Sequence, residues 1–381
     1  MDFNLTEQQR LMVDAVHELA EREFKPRLVE WDRTRSFPRA EVAEKLRALG
    51  VLGMTLPPEY GGAGLPFFDY VLALEPLARA SQPAALVLAS SCGGPVHHIL
   101  KFGSEEVKAR YLPGLASGER MCAIAMSETE AGSDTGAIRT RARIEGDEVV
   151  IDGHKMWVGG SGAFEMMVAY VRLSDAPGTD GIGSVLLPGD APGLRYGRTL
   201  EMMGLKAVPR AEIFFEDCRV PASHILTRPG QFRQLIGSFN AERIHNAMFC
   251  VGQGQAALDE ALAYARVRKQ FGRAIGDFQG IRWKLADMGT KLAASRLLVY
   301  HAARKFSDGE DAALEASMAK TFASEAAFEI ANQAMQICGA NGFAAGSRIE
   351  VLFREIRAHL LGGGSVEIVR NFIGKRMMEA G

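Results

Sequence analysis

From Met121 to about Pro221 apolar residues recur at every second position, and on both sides of that block they recur at spacings of three and four. A period of two belongs to half-buried strands and a period near 3.6 to amphipathic helices, so the chain must combine both kinds of layer in a fixed order. At 381 residues it is also long for one hydrophobic core, which predicts two or three packed subdomains. The expected fold class is α+β: an N-terminal helical domain over 1–120, a middle β-barrel or β-sandwich over 121–225, and a C-terminal antiparallel four-helix bundle over 226–381.

Within the first block, Leu5, Leu11, Val13, Val16 and Leu19 lie at helical spacing behind Thr6, an N-cap candidate with Gln9 three residues on. Glu41–Leu49 reads as a short helix stopped by Gly50, and Phe68–Ala80 and Val96–Leu112 read as helical. Phe102–Glu119 reads as an exposed charged helix ended by Pro113. In the middle block Arg139–Ile144 and Val149–Asp152 flank a Glu145-Gly-Asp hairpin signal, followed by strands at Phe164–Leu173, Ile182–Leu187 and Ala211–Val220. The long helical segments of the last block are Phe239–Lys269, Phe278–Phe306, Asp311–Cys338 and Ser365–Met378.

Composition removes several function classes. A formal net charge of −2 supplies no electrostatic reason for a nucleic acid or an acidic membrane as partner. Five cysteines are scattered, with neither a C-x-x-C nor a His pair at ligand spacing, which reads as reduced buried thiols and no metal site. No apolar run approaches the roughly 20 residues that span a bilayer. The polar, acidic start MDFNLTEQQR has neither a secretory nor a mitochondrial pattern. A soluble cytoplasmic protein is expected.

The stretch Ala125–Ala137, AMSETEAGSDTGA, follows the apolar run Met121–Ala125. A strand emptying into Gly and Ser leaves bare backbone N–H groups, which a flat polar ring or a phosphate needs for close approach. An ordinary polar loop would have the same composition. The order of residues resembles the first signature of the acyl-CoA dehydrogenase family. There the strand end holds the flavin of FAD on one side and acyl-CoA on the other, and the resemblance runs over essentially the whole chain. It implies Met126, Ser127, Gly132 and Ser133 at the cofactor, with Ser133 also near the substrate.

Further strings extend the resemblance. In Lys155-Met-Trp157-Val158 the family places Trp157 against the flavin ring with Val158 beside it, although a lone Trp after a turn also suits a core. Two residues on, the family usually has Thr or Ser and this chain has Gly159, so Ser161 or a backbone N–H would take over the bond to flavin N5. Arg268-Lys-Gln270-Phe271-Gly272 and the later Gln279 are similar to the family's R-x-x-F-G element and its following Gln, in which Arg reaches the FAD pyrophosphate of a neighbouring subunit. A guanidinium fork suits that bidentate task, though cations at a helix end are also favoured by its dipole. Gln336-Ile-Cys-Gly339 is similar to part of the second signature and implies further contacts to the partner's FAD; a helix ending at a glycine has the same pattern. The resemblance therefore implies at least a dimer, and by family norm a homotetramer.

The segment Leu361-Gly362-Gly363-Gly364-Ser365-Val-Glu367-Ile-Val-Arg370 departs from the family pattern. Most members have Glu-Gly-Thr there, and that Glu removes the substrate α-proton. Aligned on Gly364, Ser365, Glu367 and Arg370, the base position holds Gly363, while Ser365 and Glu367 remain cofactor contacts by resemblance. Ser365 also suits a cap for the last helix. Asn240-Ala241-Glu242-Arg243 supplies a substitute base, since isovaleryl-CoA and long-chain acyl-CoA dehydrogenases carry theirs just before this Arg. Crotonobetainyl-CoA reductases share both features.

The resemblance implies an FAD-dependent acyl-CoA dehydrogenase. Glu242, near the start of its helix and raised toward neutrality in a dry site, would be the base, and Asn240 and Arg243 would contact substrate. The backbone N–H of Gly363 and a ribityl hydroxyl would polarise the thioester carbonyl. The β-hydride would pass to flavin N5, and an electron-transfer flavoprotein would reoxidise the cofactor. Two other readings fit the same residues. One is a family member running as an enoyl-CoA reductase or as a desulfinase of a 3-sulfinoacyl-CoA, for which an Arg clamp would be expected; Ala89-Ser-Ser-Cys-Gly-Gly has none. The other is a non-catalytic acyl-CoA-binding subunit.

Overall fold

The computed structural model describes residues 4–379. Seven helices open the chain: α1 (Glu7–Leu19), α2 (Leu28–Thr34), α3 (Arg39–Ala48), α4 (Phe67–Ala80), α5 (Gln82–Cys92), α6 (Gly94–Phe102) and α7 (Glu105–Ala116). Thr6 and Gln9 cap α1 reciprocally, the Gln9 N–H donating to Thr6 Oγ1 at 3.2 Å and the Thr6 N–H to Gln9 Oε1 at 3.0 Å. Val96–Leu112 is not one helix: Ser104 interrupts it and caps α7 through the Val107 N–H. Pro113 does not end α7, which runs on to Ala116. Helix α5 gave no periodic signal because it is buried on nearly every side.

Strands β1 (Cys122–Ala125), β2 (Arg141–Glu145), β3 (Glu148–Gly159), β4 (Met166–Arg172), β5 (Ile182–Pro188), β6 (Leu194–Thr199), β7 (Arg210–Pro221) and β8 (Ile225–Thr227) form one mixed sheet. Its order is β6-β7-β3-β2-β4-β5-β8, with β1 parallel to β4. One face of β3, β4, β5 and β7 meets in a shared core that includes Ile151, Val171, Leu187, Ile213 and Phe215. That is where the period of two comes from. Strands β6 and β8 escaped the sequence reading because one has no buried row and the other is three residues long.

After the sheet come α8 (Phe232–Val267), the two-residue strands β9 (Lys269–Gln270) and β10 (Arg273–Ala274), α9 (Gln279–Ser307), α10 (Ala313–Cys338), α11 (Ala340–Phe343), α12 (Arg348–Ala358) and α13 (Val366–Glu379). Helices α8, α9 and α10 pack against one another, α12 and α13 pack on α10, and α4 lies along α8. The 36-residue helix α8 thus runs between the two helical blocks. All five cysteines are free and buried. Among the described residues no helix is long and apolar enough to cross a membrane.

Candidate active site

The loop after β1 is fixed to β3 by a buried ion pair. Lys155 Nζ lies 2.7 Å from Glu128 Oε1 and donates to the Met126 carbonyl at 2.9 Å. The other lone pairs of Glu128 accept from the Arg139 and Thr140 N–H groups at 2.7 and 3.0 Å. Burial pushes the Glu128 carboxyl up, but Lys155 and these hydrogen bonds outweigh it and leave it below the usual carboxylate range. Burial also pushes Lys155 down to about 8. The Met156 N–H donates to the Ser127 carbonyl at 2.9 Å, completing the junction. Glu128 is therefore a scaffold residue.

This junction sets the geometry of the next residue. Trp157 has φ +58, rare for a bulky side chain, at a register shift in the β3–β7 ladder, and is 46% exposed. A large aromatic held in a strained conformation with a free face points to a ligand. Gly132 and Gly159 both face open space where a side chain would otherwise stand. Bare loop N–H groups, open space and an uncovered indole together fit a flat ring such as that of FAD. Val158 belongs to the sheet core at 2% exposure, so only its backbone remains for a ligand. Ser161 Oγ donates to the Val158 carbonyl at 2.6 Å, so its proton is not free for the bond expected of it.

Other expected cofactor residues lie elsewhere on the chain. Arg268, Phe271, Gln279, Gln336 and Gly339 are exposed, and among the described residues no hydrogen bond or ring contact joins them to the 126–159 region. Phe271, at the tip of the β9–β10 hairpin, is 93% exposed with φ +51. Gly339 caps α10 with φ +58. Ser365 Oγ accepts from the Ile368 N–H at 3.4 Å, as a cap of α13, and Glu367 is exposed beside it.

Glu242 and Gly363, 121 positions apart in the sequence, are neighbours in space. Asn246 Nδ2 donates to Glu242 Oε1 at 3.2 Å, and a Cβ added to Gly363 would stand 3.2 Å from the same nitrogen. Glu242 is not near a helix start: α8 begins at Phe232, so the residue sits about three turns in and owes nothing to the dipole. His245 Nε2 lies 3.3 Å from Glu242 Oε2. Burial raises the Glu242 carboxyl, but His245 and the hydrogen bonds from His245 and Asn246 more than offset it. The net shift is downward, opposite to the expected rise toward neutrality, so the group stays ionised at neutral pH.

Sequence reasoning missed what makes room for this pair. A methyl on Gly94 would overlap Glu242 Oε2, and one on Gly93 would come within 2.7 Å of His245 Nδ1. The Gly-Gly at the α5–α6 junction was therefore visible without its purpose. Lys320 was also missed, because a lysine in a helical stripe reads as solvated. It is 1% exposed, and its Nζ donates to the Gly364 carbonyl at 2.6 Å, which pins the glycine turn. Burial pushes it down to about 8.

Helix α8 separates two cavities. On one side a cleft of about 650 Å³ is lined by Arg233, Asn240, Arg243, Phe372, Lys375 and Arg376. Arg243 Nη1 donates to Asn240 Oδ1 at 3.4 Å, while its Nε is buried without a partner. Asp180, Asp311 and Glu379 also line it, and Arg376 is paired with Asp311 at 2.8 Å, so Arg233 and Arg243 beside the Phe372 ring are the cations that suit a polyphosphate. On the other side a cavity of about 230 Å³ contains Glu242, His245, Asn246 and Gly363.

Comparison with known proteins matches the whole span. Family models for the acyl-CoA dehydrogenase N-terminal, middle and C-terminal domains match residues 6–119, 123–218 and 232–378. The chain is 37% identical over 375 residues to 3-(aryl)acrylate reductase of Clostridium sporogenes, covering 98% of this chain and 99% of that one. It is 35% identical to 3-sulfinopropanoyl-CoA desulfinase of Paraburkholderia xenovorans, covering 99% and 97%. The structure of butyryl-CoA dehydrogenase from Megasphaera elsdenii superposes with a TM-score of 0.94 at 30% identity, covering 99% and 100%.

Proposed function

The chain belongs to the acyl-CoA dehydrogenase family, FAD-binding oxidoreductases that act on the CH–CH group of acyl-CoA thioesters, and from that premise we propose that it dehydrogenates its thioester with Glu242 as the base. The observation that carries this is the Glu242–Asn246–Gly363 cluster, which unites the only glycine-for-glutamate departure in the turn with a carboxylate able to replace it. Its lowered pKa keeps Glu242 ionised at neutral pH, the protonation state a base needs, although it also weakens the basicity that burial alone would have raised.

Bound FAD supplies the two-electron acceptor for the hydride that leaves the β-carbon. Met126, Ser127, Gly132, Ser133, Trp157 and the Val158 backbone hold its ring. Ser365 and Glu367 lie on the helix that follows the glycine turn. Arg268, Phe271, Gln279, Gln336 and Gly339 reach the FAD of a second subunit in a homotetramer, a role supported by their exposure and their separation from Trp157. Asn240 and Arg243, with Ser133, take the CoA portion. Lys320 holds the Gly363–Gly364 turn so that the Gly363 N–H meets the developing oxyanion without reorganisation. Asn246 and His245 keep the Glu242 carboxylate aimed, and the α-proton passes to it.

Electrons leave to an electron-transfer flavoprotein, in a cytoplasmic setting that five free cysteines suit. Anaerobic titration of the yellow holoenzyme with acyl-CoA thioesters tests the reading. Bleaching of the flavin band by a saturated thioester is expected. Bleaching by none, with oxidation of the reduced flavin by enoyl-CoA, would instead support the reductase direction.

A further inference from the structure

The cavity that holds Glu242 and Gly363 also contains Arg210, contributed by the first residue of β7. Among the described residues the Arg210 guanidinium forms no ion pair; its one hydrogen bond is from Nη1 to the Leu205 carbonyl at 3.4 Å. The acid that influences it most, Glu355, makes no ion pair with it and is pushed by burial and by Asp32 up to about 8. A largely buried guanidinium that no carboxylate pairs is costly unless an anion arrives. The opposite residue in the β3–β7 ladder is Gly159.

A second donor faces the same cavity. Gln82 Oε1 accepts from Gln253 Nε2 at 2.7 Å and lies 3.1 Å from His359 Nε2. The amide oxygen is thereby committed to the protein interior, and the Gln82 amide N–H groups are left for the cavity that Gln82 lines. The occupant is small: about 230 Å³ holds roughly seven or eight groups the size of water, at about 30 Å³ each.

We propose that Arg210 and Gln82 form an anion clamp, and that the acyl group this site takes is short and ends in a second negative group such as a carboxylate. This deepens the acyl-CoA reading and rests on it. The planar fork of Arg210 receives both oxygens of the tail, the Gln82 amide adds a neutral donor, and Glu242 meets the α-carbon nearer the thioester. Reading the clamp requires two distant segments, because Gln82 begins α5 and Arg210 begins β7.

The test uses the FAD holoenzyme and chain-matched pairs, succinyl-CoA with butanoyl-CoA and glutaryl-CoA with pentanoyl-CoA. Single-turnover flavin reduction gives the limiting rate divided by Kd for each in the parent, in Arg210→Gln and in Gln82→Leu. A charge-assisted contact predicts about a ten- to hundredfold preference for the ω-carboxylate member in the parent, falling to about one or below in Arg210→Gln. Gln82→Leu should lower the ratio less. Equal or greater reactivity of the neutral member in the parent overturns the clamp and needs no variant that folds. So does an Arg210→Gln variant in which both members slow by one factor and the flavin spectrum shifts, because that places the charge on the cofactor. Neutral chains that bleach the flavin well would sink the clamp and leave the dehydrogenase reading standing. No bleaching by any thioester would remove both.

Discussion

At Glu242 the sign of the pKa shift is the opposite of what an isolated carboxyl in a dry pocket would show, and His245 is the first reason for it. His245→Gln removes the imidazole that lies 3.3 Å from Glu242 Oε2 while burial remains, so the carboxyl should rise. The acid limb of the rate of flavin reduction should then move to higher pH. An unmoved limb would mean that His245 only fills space. Glu355 offers a stability test with a different sign. It is raised from its ordinary 4.5 to about 8, so between those values the folded state holds a proton that the unfolded chain has lost. Stability should fall as pH rises through that window. Glu355→Gln does not titrate, so its advantage over the parent in thermal unfolding should grow from pH 5 to pH 8; a constant gap would contradict the assignment. Glu242 and Gly363 could be paired from the sequence through a known pattern, but His245, Asn246 and Arg210 could not. Their roles depend on which helix faces which, and no local spacing encodes that.

Among the elements, the β1–β3 junction and the α5–α6 turn carry the most consequence. Lys155→Met leaves Glu128 buried and uncompensated, which should destabilise the protein by about 3–5 kcal/mol. FAD should be lost at a lower denaturant concentration than the one that melts the helices, because the loop beside Trp157 loosens first. Loss of both in one transition would show that the pair supports the whole fold and not the loop. Gly94→Ala should leave the fold intact and displace the Glu242 carboxylate. Turnover should drop while the melting temperature and FAD content hold, as circular dichroism and flavin absorbance would report. The middle strands were readable because β3 and β7 bury alternate rows and β4 and β5 are short apolar runs buried on both faces. Helix α5 was not, since a segment surrounded by protein keeps no polar face to mark its period. Pro113 misled because Ser104 restarts the helix nine residues earlier, and α7 accommodates the proline in its last turn.

The whole molecule leaves apolar side chains uncovered. Val267, Phe271, Trp283 and Phe343 are exposed, at the end of α8, on the β9–β10 hairpin, near the start of α9 and in α11. Single exposed apolar residues are ordinary, but this group includes the segments assigned to a second subunit's FAD. Helical, β and helical blocks were legible because the hydrophobic period changes twice; the meeting of Glu242 with Gly363 was inferable only by resemblance, since packing across 121 positions leaves no trace in spacing. The central claim is that the base has moved from the glycine turn to α8. Single-turnover flavin reduction by a saturated acyl-CoA, comparing the parent with Glu242→Gln at equal FAD content, tests it most directly. The account predicts a fall of roughly 10²–10⁴-fold with FAD and thioester binding retained. Reduction as fast as in the parent would contradict it.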